Sequence, residues 1–199
     1  MNPNTNSYNC ICDQWRDYRR NNPLNRCVSD FANLLTSGAQ VLDIGCGTGY
    51  PIAASLAERG HEVTGIDLSE KMIDYACALT LPRASFFVAD IMEFKTDEMF
   101  DAVIAFDSLW HIPLDQQERV YEIIGNLVRR GGYFLFTHGK NHGTVTGEMF
   151  GHPFVYNALS KEEVMCLLYK NGFAVLSSFE DYIEETTGDR ELLIVAQKV

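Results

Sequence analysis

Apolar residues along this chain follow two rhythms in turn. Runs rich in Val, Ile, Leu and Phe cover 40–44, 62–67, 85–89, 101–106 and 132–138, as expected of strands covered on both faces. Between them, over 51–59, 69–79 and 115–129, apolar residues return every three to four positions, the spacing of a half-buried helix. Upstream, Trp15, Tyr18, Val28, Phe31, Leu34 and Leu35 give a helical pattern from Asp13 to about Leu35, which Pro23 divides into two pieces. Residues 1–9, polar and uncharged, read as a mobile tail. Gly60, Gly131-Gly132 and Gly172 stand where helices should end, and Ser160 with Glu163 forms a capping box that opens a helix over 160–171. After that helix the alternation stops. Residues 173–182 and 190–197 are two strand-like runs joined by a turn around Gly188. The pattern predicts an α/β, three-layer fold: a mostly parallel open sheet with helices on both faces, ending in a hairpin that adds an antiparallel C-terminal strand.

Composition narrows the classes without naming one. With 199 residues and 46% apolar content, a single domain with a sizeable core is expected. The formal charge of −11 repels phosphate backbones and anionic membrane surfaces, so neither nucleic acid nor membrane is an expected partner. No window reaches the run of about 18 apolar residues that spans a bilayer, and the N-terminus has no apolar signal core. Cys10, Cys12, Cys27, Cys46, Cys77 and Cys166 show no disulfide or zinc spacing, which suits a reduced, cytoplasmic protein with no metal. His138 and His142 are separated by a Gly-Lys-Asn loop and make a poor ligand pair.

The chemistry concentrates at Val41-Leu-Asp-Ile-Gly-Cys-Gly-Thr-Gly49. A strand runs into alternate glycines, where a ligand can approach bare backbone, and Pro51 suits the start of the next helix. Asp43 at the strand end, beside this loop, points to a nucleoside-type cofactor with a cationic group. The dinucleotide fingerprint G-x-G-x-x-G would need its third glycine at Tyr50, so G-x-G-x-G fits better. Further acidic residues follow at successive strand ends: Asp67, Asp90 and Asp107. In open α/β sheets that rim is where ligands bind.

This loop, followed by that series of carboxylates and a terminal hairpin, resembles class I S-adenosylmethionine-dependent methyltransferases of the small-molecule type, over about 40–197. The resemblance implies a Rossmann-like seven-stranded sheet of order 3-2-1-4-5-7-6 and S-adenosyl-L-methionine as cofactor. It implies that Asp67 accepts the ribose hydroxyls, Leu68 and Met72 flank adenine, and Asp90 with the Ile91 backbone meets the adenine edge. Asp43 would help hold the methionine ammonium. Gly45, Cys46, Gly47 and Gly49 would pass along the methionine and ribose, and Phe106 and Asp107 would lie near the sulfonium. Asp67 and Asp90 have a plainer alternative as caps of a helix and a turn.

For the reaction, His111 and His138 are the candidate proton acceptors, with His142 behind them. Residues 1–36 are expected to be a tail and helical cap on a domain of 37–199. In that cap Tyr8, Trp15 and Tyr18 would cover the cofactor, and Arg16, Arg19 or Arg20 would meet its carboxylate. The Gly- and aromatic-rich insertion 139–157 reads as a long loop and is expected as a lid, the alternative being a surface excursion or a dimer contact. The absence of a large appended substrate domain favours a small-molecule acceptor, with the protein a monomer or homodimer. Two rival readings are a catalytically silent cofactor-binding protein of the same fold and an NAD-type oxidoreductase.

Overall fold

The computed structural model describes residues 3–184 and 188–199. Its strands are β1 (Gln40–Ile44), β2 (Glu62–Asp67), β3 (Ala84–Val88), β4 (Phe100–Ala105), β5 (Val128–His138), β6 (Gly143–Met149), β7 (His152–Ala158), β8 (Phe173–Tyr182) and β9 (Arg190–Lys198). The main sheet runs β3-β2-β1-β4-β5-β9-β8, and β6 with β7 forms a separate antiparallel hairpin. β1 to β5 are parallel, and β9 is antiparallel to both β5 and β8. With the hairpin set aside, the strands take the expected 3-2-1-4-5-7-6 order. The helices are α1 (Pro3–Asn21), α2 (Arg26–Ala32), α3 (Ile52–Glu58), α4 (Glu70–Ala78), α5 (Leu114–Leu127) and α6 (Lys161–Lys170). None of the described helices is long and apolar enough to cross a membrane.

The two-residue period of the strands builds a core on each face. Leu42, Ile44, Val103, Ala105, Phe134 and Phe136 face α5 and α6 through Tyr121, Ile124, Val164 and Leu168. Val41, Val63, Ala102, Ile104 and Leu135 face α2 and α3 through Val28, Phe31, Ile52 and Leu56. A strand buried on both faces cannot alternate polar and apolar residues, so β1 and β4 read as continuous apolar runs.

Three expectations are corrected. Residues 3–9 are the first turns of α1, not a tail. Asn4, Ser7, Ile11, Cys12 and Arg19 are all buried on one helical face, but three of these five are polar. It docks by hydrogen bonds instead of grease, so a search for apolar periodicity passes over it. Gly131-Gly132 do not end a helix. α5 stops at Leu127, and Val128 is already extended. Arg129 is held there by Asp101 at 2.8 Å and Gln40 at 2.6 Å, and the glycines serve an irregularity in the β4–β5 pairing. The insertion 139–157 is largely a regular hairpin. Part of the turn expected around Gly188 lies outside the described residues. The capping box of α6 forms as expected, Ser160 Oγ accepting from Glu163 N at 3.2 Å and Ser160 N donating to Glu163 at 2.7 Å.

Ile104 is fully buried mid-sheet, so Ile104→Ala should lower unfolding free energy by about 3–4 kcal/mol. Ser160→Ala, which removes one cap, should cost about 1 kcal/mol. Urea unfolding of both variants checks the ranking, which a larger loss from the cap would reverse.

Candidate functional site

A cavity of about 570 Å³ opens at the C-terminal ends of the parallel strands. Asp43 closes its floor from β1, Asp67 from β2, Asp90 from the segment after β3, and Asp107 from the segment after β4. Gly45 and Gly47 run along one wall with φ of +75° and +55°. A Cβ on Gly45 would stand 2.4 Å from Ser108 Cβ, so the loop can lie this close to the β4 end only as glycine. Ser108 Oγ donates to the Ile44 carbonyl at 2.7 Å and ties the two strand ends together.

The four carboxylates are answered differently. Asp67 accepts from Gly47 N at 3.0 Å and from Ser69 N at 2.8 Å, which fixes both its oxygens while leaving lone pairs toward the cavity. The cap of α4 is Ser69, whose Oγ accepts from Met72 N at 3.2 Å, so Asp67 does not cap the helix and instead lines the cavity. Burial raises the Asp67 carboxyl, and those backbone donors oppose the rise. Asp90 accepts from Met92 N at 2.9 Å through one oxygen. Asp107 sits at φ +57° and forms a two-pronged pair with Arg190, at 2.7 and 2.6 Å, with Thr137 Oγ1 at 3.1 Å. Asp43 is 2% exposed, and its Oδ2 has no hydrogen-bond partner among the described residues. Burial, reinforced by Asp67, pushes its carboxyl up to about 7.

Across from these acids lies Arg19, 6% exposed, against the ring of Trp15. It makes no hydrogen bond or ion pair among the described residues, and burial holds its guanidinium below the usual value. A buried unbonded guanidinium and a buried unbonded carboxylate oxygen lining one cavity match a ligand that carries both a carboxylate and an ammonium.

The other end of the cavity is closed by α1, β7 and the turn Leu109–His111. Asn4 pairs with the Val155 backbone as a strand edge would. Val155 N donates to Asn4 Oδ1 at 2.8 Å, and Asn4 Nδ2 donates to Val155 O at 2.7 Å. Ser7 Oγ adds a bond to Pro153 O at 2.6 Å. Asn4 Nδ2 also reaches His111 Nδ1 at 2.7 Å, and His111 Nε2 meets Tyr8 Oη at 2.9 Å. Burial pushes the His111 imidazole down to about 4.

Of the residues singled out from the sequence, Asp43, Gly45, Cys46, Gly47, Asp67, Leu68, Met72, Asp90, Ile91, Phe106, Tyr8, Trp15 and His111 all line this cavity. Gly49 and His138 do not. Gly49 packs behind the loop, where a Cβ would come within 2.9 Å of Phe86 Cζ. His138 is fully buried at the end of β5, its ring held by Gly139 O at 2.7 Å and Gln117 Oε1 at 3.0 Å. His142 is exposed and paired with Glu163 at 2.8 Å. Asn4, Ser108, Asn157 and Arg190 were not anticipated. The stride Asn4, Tyr8, Ile11, Trp15, Arg19 is helical and was the available signal for the first of them. Among the described residues, no three His, Cys, Asp or Glu side chains cluster as metal ligands.

Residues 41–132 match a family described as a methyltransferase domain. The chain is 32% identical over 140 residues to the ubiquinone biosynthesis O-methyltransferase of Chromobacterium violaceum, covering 63% of this chain and 55% of that protein. It thus spans about half the length of the curated relatives it matches. Among solved structures, the 1,6-didemethyltoxoflavin-N1-methyltransferase of Burkholderia thailandensis, bound to 1,6-didemethyltoxoflavin and S-adenosylhomocysteine, superposes with a TM-score of 0.75 at 22% identity. That match covers 98% of this chain and 87% of the other. The cyclase SpnF superposes with a TM-score of 0.72 at 19% identity, over 97% and 94% of the two chains. The structural likenesses establish the fold.

Asp43 has a folded-state value near 7 against an unfolded value near 3.9. The native state therefore binds the extra proton between those values, and stability falls as pH rises through that window. Asp43→Asn should raise the unfolding free energy of the ligand-free protein by roughly 2–4 kcal/mol at pH 8 and by little at pH 4. Thermal melts at the two pH values check this, and an equal effect at both would remove Asp43 as the source.

Proposed function

We propose that this protein, which carries a methyltransferase domain over residues 41–132, uses S-adenosylmethionine to methylate a small-molecule acceptor. One observation carries the reading: a buried carboxylate oxygen on Asp43 and a buried guanidinium on Arg19, neither hydrogen-bonded among the described residues, line the cavity walled by Gly45 and Gly47. The cofactor's amino-acid end has the two charges these groups call for.

The remaining assignments follow the cavity. Asp67, steadied by two backbone donors, accepts the ribose hydroxyls, because a carboxylate can take two O–H donors at once. Leu68, Met72 and Ile91 form the apolar slot for the purine, with Asp90 at its edge. Cys46 and Phe106 line the path between, and Trp15 and Tyr8 cover it from α1. When bound, the cofactor supplies a sulfonium methyl with a good leaving group, so the protein's part is chiefly to position the acceptor and exclude water. Residues 3–21 act as the cap and the β6–β7 hairpin as the lid, and the protein works in the cytoplasm. The toxoflavin-type and ubiquinone-type enzymes named above act on small molecules according to their names.

Calorimetry should find one S-adenosylhomocysteine per chain, with Asp67→Ala weakening it ten-fold or more, as expected for losing a charge-assisted bidentate site. NAD binding at the same site in its place would sink the reading. Since the cyclase SpnF has this fold too, methyl turnover on an acceptor panel separates an enzyme from a silent binder.

A further inference from the structure

The acceptor end of the cavity has a fixed hydrogen-bond polarity, which follows from one backbone group. Val155 N can only donate, so Asn4 Oδ1 is its acceptor and Asn4 Nδ2 is placed as a donor to Val155 O and to His111 Nδ1. A nitrogen that accepts has no proton. The 3.4 Å approach of the Val155 carbonyl to the same ring nitrogen is then a contact without a hydrogen. His111 is thereby the neutral tautomer protonated on Nε2, and that N–H donates to Tyr8 Oη at 2.9 Å. Tyr8 in turn has its own proton to give, and no described residue accepts it. Tyr8 keeps that proton: burial, with Asp67, Tyr156 and Asp107 nearby, raises its phenol, opposed weakly by Arg19.

A second donor lies in the same region. Asn157, 8% exposed, accepts from Thr144 Oγ1 at 2.8 Å through its Oδ1, and its Nδ2 meets no acceptor among the described residues. Thr5, Ile112, Pro113, Gln116 and Val155, which also line the cavity, carry no charge. Asp67 and Asp107 lie near enough to act on Tyr8, so this end disfavours an anion, and an ammonium has no lone pair for these donors to meet.

We propose that Tyr8 Oη–H and Asn157 Nδ2–H seat an uncharged acceptor that presents lone pairs, such as a carbonyl or ring-nitrogen compound, with Asn4 and His111 positioning Tyr8 as a donor. His111 on this account takes no proton from the acceptor, since its cavity-facing chain runs outward from Asn4 to Tyr8. The proposal rests on the methyl-transfer reading above and narrows its acceptor.

The test uses the full chain loaded with S-adenosylhomocysteine and three probes of one shape: benzamide, benzoate and benzylamine. Titration should show benzamide binding at least ten-fold more tightly than either charged probe. Tyr8→Phe should weaken benzamide about five-fold or more, the usual worth of one hydrogen bond. Asn4→Asp cannot donate to Nδ1. It should move the imidazole proton to Nδ1, turn Tyr8 toward His111 and weaken benzamide to a similar degree. Nitrogen-15 spectra of the imidazole read this directly: the neutral Nε2–H form at pH 7 in the parent, the Nδ1–H form in Asn4→Asp. A charged probe equal to benzamide, no benzamide binding, unchanged affinity in Tyr8→Phe, or an imidazolium at pH 7 would each overturn the proposal. Failure of the parent chain to bind S-adenosylhomocysteine would count against the cofactor reading instead.

Discussion

Four carboxylates on one rim of a sheet repel one another, and how each is answered organises this molecule. Asp107 is neutralised within the fold by Arg190, at the cost of a left-handed backbone that the pair and Thr137 hold in place. Asp67 is answered by two peptide N–H groups, one from the glycine loop and one from the start of α4. Asp90 receives one such donor. Asp43 receives none that reaches its Oδ2. The rim therefore grades from a satisfied structural pair to a carboxylate left for a ligand, and the cavity lies where satisfaction runs out. Burying that last group costs stability the apolar layers on either side must supply.

The sheet was largely legible because its strands are buried on both faces. Their apolar runs at 40–44 and 62–67 coincide with β1 and β2, and the terminal hairpin followed from two strand-like runs without a helix between. The carboxylate-lined end of the cavity was legible for a related reason: its groups sit at strand ends, and strand ends can be read from those runs. Asp43, Asp67 and Asp90 all line one cavity. His138 went astray because a residue's position at a strand end does not say which way its side chain turns. Gln117, on α5, holds it in the core.

The opposite end of the cavity was poorly legible, and the reason is the kind of contact that builds it. α1 buries asparagine, serine and arginine along its stripe, so hydropathy shows no face. The insertion looked like an irregular loop because its glycines and aromatics suggest one, yet Val145, Phe154 and Tyr156 alternate within a paired hairpin. Contacts between side chains and backbone leave no mark in the partner's sequence, since any residue at 155 offers the same N–H and C=O.

That last property has a consequence for how such a protein can change. The clasp between α1 and β7 is addressed to the peptide groups of Val155 and Pro153, with Asn4 and Ser7 on the other side. Side chains along β7 can then be exchanged in the course of descent without undoing the clasp. Proline at 153 uses only its carbonyl, and 155 needs only an ordinary amide. The scaffold thus separates heritable variation in the wall of the chamber from the fastening that keeps the chamber shut, and lineages can diversify one while inheriting the other intact.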